Sequence, residues 1–198
     1  MPATTLLILA GGASRRMGQT KALLPFAGTT LIEHLANALA PNFDEVLISA
    51  NDPAAIPPGL RDGYRLIADL HRDAGPLAGI EAGLHAAEHD TLFAVACDMP
   101  LVTPELAIGI VAAAQGHDAA VPRLNGRAEP ACAAYRKQAA GPIAAALRQD
   151  RRRAAAVLEE LDVNWLDDLD ARLFANANDP AAYRALLDAA RYPVDFNS

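Results

Sequence analysis

The residues best able to do chemistry fall in three places, the first two directly after stretches that read as buried strands. The first is LAGGASRRMGQTK, Leu9 to Lys21, in which Gly11 and Gly12 are followed by Arg15, Arg16, Gly18 and Lys21. Glycines lack a Cβ, so their backbone N–H groups can approach an anion closely. The basic side chains can neutralise phosphate charge. The chain has only two lysines, Lys21 and Lys137, so finding one in this loop is informative. Two familiar phosphate loops fail on spacing. GxxxxGK[ST] needs a lysine directly after its last glycine, and Gly18 is followed by Gln19-Thr20. GxGxxG needs spaced glycines, and Gly11 and Gly12 are adjacent. The plain alternative is a tight turn with its arginines in solvent.

The second place is Asp98, in Ala96-Cys97-Asp98-Met99-Pro100. A carboxylate facing phosphates repels them unless a hard cation lies between, and Mg²⁺ with oxygen ligands and retained waters suits that role. Thr103-Pro104 is the better helix cap nearby, which leaves Asp98 free for a ligand. Asp69 ends another strand and could reach the same edge; a turn aspartate is the alternative. The third place is Asp73 to Ile80, where Gly75-Pro76 opens a helix and Gly79 sits one turn inside it. A helix glycine costs about 1 kcal/mol relative to alanine. Close approach to a ligand or to another backbone would account for it, with helix–sheet packing as the alternative.

Those residues need a scaffold that brings strand ends together. Thr4–Ala10, Glu45–Ala50, Tyr64–Ala68, Thr91–Ala96 and Asp118–Pro122 read as strands, the best of them apolar on both faces. Thr30 with Glu33 forms a capping box ahead of Leu31, Ile32, Leu35 and Leu39. Helices are also expected from Gly75-Pro76 through His89 and after Thr103-Pro104. Asn51–Gly63 reads as loop. Further on, Tyr135–Arg148 and Arg151–Glu160 read as helices, Val163–Leu166 as a strand, and Asp179-Pro180 as the start of a last helix to about Ala190. The expectation is a single three-layer α/β/α domain over 1–198, Rossmann-like, with a mostly parallel sheet. Such sheets bind ligands at the carboxyl ends of their strands.

Composition agrees. The 198 residues are 52% hydrophobic and 21% charged, a globular mix. The net charge of −7 is wrong for bulk nucleic-acid binding, although a local basic loop can still hold a small anion. Two cysteines, Cys97 and Cys132, make no disulfide framework and fit a reducing compartment. No apolar run reaches membrane length, and no signal peptide is evident, so a cytoplasmic protein is expected. In the second half, Arg127-Ala128-Glu129-Pro130 reads as extended or turn. Either Asn176 or Asn178 could cap the last helix while the other meets a ligand. Arg148 and Arg151–Arg153 read as a solvated helix face or as a lid over an anion.

LAGGxSxRMGxxK, GPLAGI, CDMPxxxP, the EP element and NxNxP follow one another in this chain, and together they resemble the molybdenum cofactor guanylyltransferases. The resemblance spans about Leu6 to Tyr183. It implies a nucleotidyltransferase domain in which Leu9, Ala10 and Gly11 hold the guanine nucleotide through their backbone. By the same resemblance Lys21 meets phosphate, Asp69 meets the nucleotide, and Asp98 holds Mg²⁺ and touches the nucleotide. Gly12, Arg15 and Gly18 match the family loop, and Gly79 lies in GPLAGI. Asn51 stands at a shifted position for an asparagine after the second strand. Asn176 and Asn178 match a tail motif near the pterin.

The implied reaction transfers GMP from GTP to the terminal phosphate of molybdopterin or Mo-molybdopterin. A phosphate monoester is already largely dianionic at neutral pH, so no strong general base is needed. Catalysis would be positioning plus charge neutralisation by Lys21, Arg15 and Asp98 with Mg²⁺. Transient contacts with molybdenum-insertion proteins and molybdoenzyme chaperones are implied, with no nucleic-acid or membrane partner. The rivals are a molybdopterin cytidylyltransferase, whose chains usually read LAAG where this one reads LAGG, a sugar-phosphate nucleotidyltransferase, and a non-catalytic carrier of the dinucleotide.

Overall fold

A computed structural model describes residues 2–11, 20–71 and 74–191. In chain order the elements are β1 (Thr4–Leu9), β2 (Pro25–Phe26), β3 (Thr29–Thr30), α1 (Leu31–Leu39), β4 (Glu45–Ser49), α2 (Pro58–Gly63) and β5 (Arg65–Ile67). There follow α3 (Pro76–Ala86), β6 (Thr91–Ala96), α4 (Pro104–Ala113), β7 (Ala119–Leu124), β8 (Arg127–Ala128) and β9 (Cys132–Arg136). The chain ends through α5 (Ala140–Arg148), α6 (Ala154–Leu158), β10 (Val163–Leu166) and α7 (Pro180–Arg191).

One sheet runs β10-β7-β9-β6-β1-β4-β5, with β8 paired to β7. All neighbours along this path are parallel except β9, which is antiparallel to β6 and to β7. The central strand β1 shows why the sequence folds this way. Leu6 and Ile8 point into one buried cluster with Ile32, Leu35, Phe93 and Ile110. Leu7 and Leu9 point into the other, with Leu77, Ile80, Leu92 and Ile143. A strand covered on both faces must be apolar along its middle, which Leu6–Leu9 supply, while the buried Thr5 hydroxyl at its start donates to Glu45. Helices α1, α2 and α4 pack on the first face, and α3, α5 and α6 on the second. The α/β/α layering and the mostly parallel sheet are as expected.

Local signals held at several helix starts. Thr30 Oγ1 accepts from the Glu33 N–H and Glu33 Oε2 accepts from the Thr30 N–H, the reciprocal capping box. Thr103 Oγ1 accepts from the Leu106 N–H at 3.3 Å. Three expectations need correction. Tyr135–Arg148 is not one helix: Tyr135 and Arg136 end β9, and the helix begins at Ala140. The alanines of CAAYR favour helix in isolation, but β9 lies between β6 and β7, where small buried residues fit. Asn51–Gly63 is not all loop, because Pro58 sits at the first position of α2, where its missing N–H does no harm. The second expected helix shrinks to Ala154–Leu158.

A third, smaller cluster lies apart from the two main ones. Leu24, Phe26 and Leu31 pack with Ala177 and Leu186, so α7 rests on the β2–β3 hairpin. The Tyr183 hydroxyl donates to the Pro25 carbonyl across this contact.

Candidate functional site

The register of four parallel strands sets the site. Leu9 of β1 pairs with Ser49 of β4 and with Ala96 of β6, and Ser49 pairs with Ile67 of β5. Gly11, Asn51, Asp69 and Asp98 each stand two residues beyond one of these aligned ends. The four expected site residues therefore form one row along the carboxyl edge of the sheet. Asp98 and Asp69 lie three interstrand spacings apart, roughly 14 Å at the usual strand separation. The row can hold opposite ends of one extended ligand.

At the β6 end, Lys21 Nζ donates to Asp98 Oδ2 at 2.7 Å and to Asn178 Oδ1 at 2.7 Å. The Ala177 N–H also donates to the Asp98 carbonyl at 3.1 Å, which fixes the tail against the strand end. Asp98 is largely buried, yet its second carboxylate oxygen has no hydrogen bond among the described residues. One hard oxygen donor is thus available there. No cluster of three or more His, Cys, Asp or Glu able to hold a metal occurs among the described residues. These residues fit a cation that arrives with other oxygen ligands, such as phosphates and water, rather than a site the protein fills alone.

At the β5 end, the Ser49 hydroxyl donates to Asp69 Oδ1 at 2.6 Å and Asn51 Nδ2 donates to Asp69 Oδ2 at 2.9 Å. Asn51 Oδ1 in turn accepts from the Asp69 N–H at 3.1 Å. The carboxylate is thereby fixed, with lone pairs left for donors on a ligand. The sequence reading missed Ser49; a hydroxyl closing the apolar run Val46–Ile48 was the signal. Gly79 is explained by the same cluster. A Cβ on it would lie 2.7 Å from Leu9 Cδ2, 2.9 Å from Ser49 Oγ and 3.3 Å from Asp69 Oδ1. The close approach it permits is to these side chains, so packing of α3 on the strand ends accounts for it. Ahead of α3, Gly75 has φ +70°, a conformation in which a side chain would be strained.

Leu9 and Ala10 continue the β1 edge: the Leu9 carbonyl accepts from the Cys97 N–H, and the Ala10 N–H donates to the Ser49 carbonyl. Gly12, Arg15 and Gly18 lie outside the described residues. Neither asparagine of the tail caps the last helix. Asp179 does so, its Oδ1 accepting from the N–H groups of Ala181 and Ala182. Asn178 joins Lys21, whereas Asn176 makes no side-chain hydrogen bond among the described residues. Glu129 lies beside the ligand edge, because the neighbouring Ala131 carbonyl accepts from the Ala96 N–H at the end of β6. Burial holds its carboxyl above the usual range. In the basic cluster, Arg151 pairs with Glu160 and Arg152 with Asp150, so these two are already matched by acids.

Comparison with known proteins agrees with this geometry. The profile of the MobA-like NTP transferase domain matches residues 6–165. A protein of Pelotomaculum thermopropionicum named "Probable molybdenum cofactor guanylyltransferase" is 38% identical over 172 residues, covering 87% of this chain and 82% of that protein. One of the same name from Methanosarcina mazei is 37% identical over 190 residues, covering 87% and 84%. The crystal structure of molybdopterin-guanine dinucleotide biosynthesis protein A from Archaeoglobus fulgidus superposes with a TM-score of 0.82 at 28% identity, covering 94% of this chain and 98% of that one.

Proposed function

Because the chain belongs to the MobA-like NTP transferase family, we propose that it transfers GMP from GTP to the terminal phosphate of molybdopterin or Mo-molybdopterin. The products are the guanine dinucleotide cofactor and pyrophosphate. The single observation that carries this reading is the Lys21–Asp98 pair on the ligand edge of the sheet. An ammonium and a hard oxygen donor side by side suit a triphosphate that arrives with a cation, and in this way the pair supports the reading.

In this reading an oxygen of the pterin phosphate attacks the α-phosphorus, the bond to the α–β bridging oxygen breaks, and pyrophosphate leaves. Lys21 binds the departing phosphates and offsets the charge that moves onto them. Arg15, Gly12 and Gly18 belong to the same phosphate loop. The backbone of Leu9, Ala10 and Gly11 borders the nucleotide, and Asp69 with Asn51 receives its other end. Asp98 would hold Mg²⁺ through the carboxylate oxygen that Lys21 does not take, and Mg²⁺ would supply Lewis-acid polarisation of the phosphate when bound. Asn176 lies on the pterin side.

No helix among the described residues is long and apolar enough to cross a membrane. A cytoplasmic site of action is part of the proposal. Molybdenum-insertion proteins and molybdoenzyme chaperones are the transient contacts expected of an enzyme whose product is handed on.

The test is a turnover assay with Mg²⁺ and molybdopterin, supplying GTP, CTP or ATP separately and weighing the dinucleotide formed. A guanine product from GTP alone is expected. A cytosine product would reassign the base, and no product from folded protein and active substrate would overturn the reading.

A further inference from the structure

Among the described residues Lys21 has two acceptors, and they differ in charge. Asp98 draws the ammonium by Coulomb attraction, whereas the Asn178 amide oxygen is neutral and only directs it. A lysine ammonium has three donors, one more than the described acceptors take. A second carboxylate at 178 would bind Lys21 more strongly but would repel an incoming anion. A neutral amide orients the lysine without adding negative charge.

The two acceptors also sit on different segments. Asp98 follows β6, and Asn178 precedes α7, with Ala177 tied to the Asp98 carbonyl between them. If Asp98 turns to a cation, that cation repels the Lys21 ammonium. Asn178 is then the acceptor left to keep it in the site among the described residues.

We propose that Asn178 is a positioning residue for Lys21, holding the ammonium at the phosphate end of the row independently of Asp98. The role assigned to the lysine itself rests on the proposed function.

Lys21 and Lys137 are the only lysines, so one labelling experiment carries its own reference. The full-length protein, free of nucleotide and with EDTA present, is acylated by an N-hydroxysuccinimide ester. The rate at each lysine is then read by peptide mass spectrometry. In Asn178→Ala the Lys21 rate should rise at least about threefold, as expected for loss of one hydrogen bond, with Lys137 unchanged. Asn178→Asp should slow Lys21 below the wild-type rate, and it serves if the alanine variant fails to fold. Tyr183→Phe loosens the tail at its contact with Pro25 without touching Lys21, and should leave the Lys21 rate unchanged.

An unchanged Lys21 rate in Asn178→Ala overturns the proposal. So does an equal rise in Tyr183→Phe, which would make Asn178 merely part of the tail. Adding GTP to the wild type tests the other reading separately. Failure of GTP to protect Lys21 would count against the phosphate role of the lysine and leave its dependence on Asn178 standing.

Discussion

Asp69 is held by its neighbour on the next strand: the Ser49 hydroxyl lies 2.6 Å from Asp69 Oδ1. Ser49 is buried, and its strand end is in register with Ile67, two residues before Asp69. The bond fixes a carboxylate that protrudes from the end of the sheet. Ser49→Ala should lower stability by about 1–2 kcal/mol, the range for a hydrogen bond to a charged group at a partly exposed site. Urea unfolding measures this. The same variant should raise KM for GTP more than it lowers kcat, because the hydroxyl orients a binding group away from the reacting phosphorus.

Gly79→Ala tests the packing of α3 on that cluster. The new methyl would meet Leu9 and Ser49 at 2.7 and 2.9 Å, and both are buried against the helix. Overpacking of this kind costs about 1–3 kcal/mol. A fall in Tm together with weaker GTP binding is expected; full stability would show that the strand ends yield easily.

Asp98→Asn should separate activity from folding. The Lys21–Asp98 pair is partly exposed, 22% and 12% by side chain, so its loss should cost the fold about 1 kcal/mol or less. Turnover should drop by roughly 100-fold or more, the scale of removing one preorganised electrostatic group. Thermal unfolding and kcat on the same preparation decide it. Near-normal turnover at low Mg²⁺ would remove Asp98 from the reaction.

Alkali should destabilise the fold. Burial, helped by the nearby Asp98 charge, pushes the Cys97 thiol from an ordinary value near 9 up to about 12. Burial also raises the Cys132 thiol and the Tyr135 hydroxyl. These groups stay protonated in the folded protein while the unfolded chain loses their protons. The folded state then binds more protons, so stability falls as pH rises. For Cys97 the loss begins near pH 9 and continues to about 12. Denaturant midpoints measured from pH 8 to 11 should decline steadily. The same burial predicts that neither thiol reacts with a disulfide reagent at pH 8 until denaturant is added.

Much of this was legible in the chain because the signals were local. TTLLIL and TLFAVA must be buried on both faces, Thr30 and Glu33 cap each other, and Asp69 and Asp98 each follow a strand. What stayed hidden was set by distance. The alanines of β9 do not reveal that β6 and β7 enclose them. Asn178 meets Lys21 across a separation of 157 positions, and no spacing rule reaches that far. Gly79 was legible as an anomaly, but its reason required Ser49 and Leu9 to be placed beside it. The capping role of Asp179 was hidden by two nearby asparagines, Asn176 and Asn178, that also suit a cap.

The small cluster of Leu24, Phe26, Leu31, Ala177 and Leu186 has a kinetic consequence. It shares no residue with the two cores that flank the sheet. Such a patch can open as its own cooperative unit, at a free energy below that of global unfolding. Lys21 adjoins its first part and Asn178 its last. Amide hydrogen exchange in α7 would therefore time the assembly of the site itself, because each opening parts the two ends of the chain that meet there while the sheet remains intact.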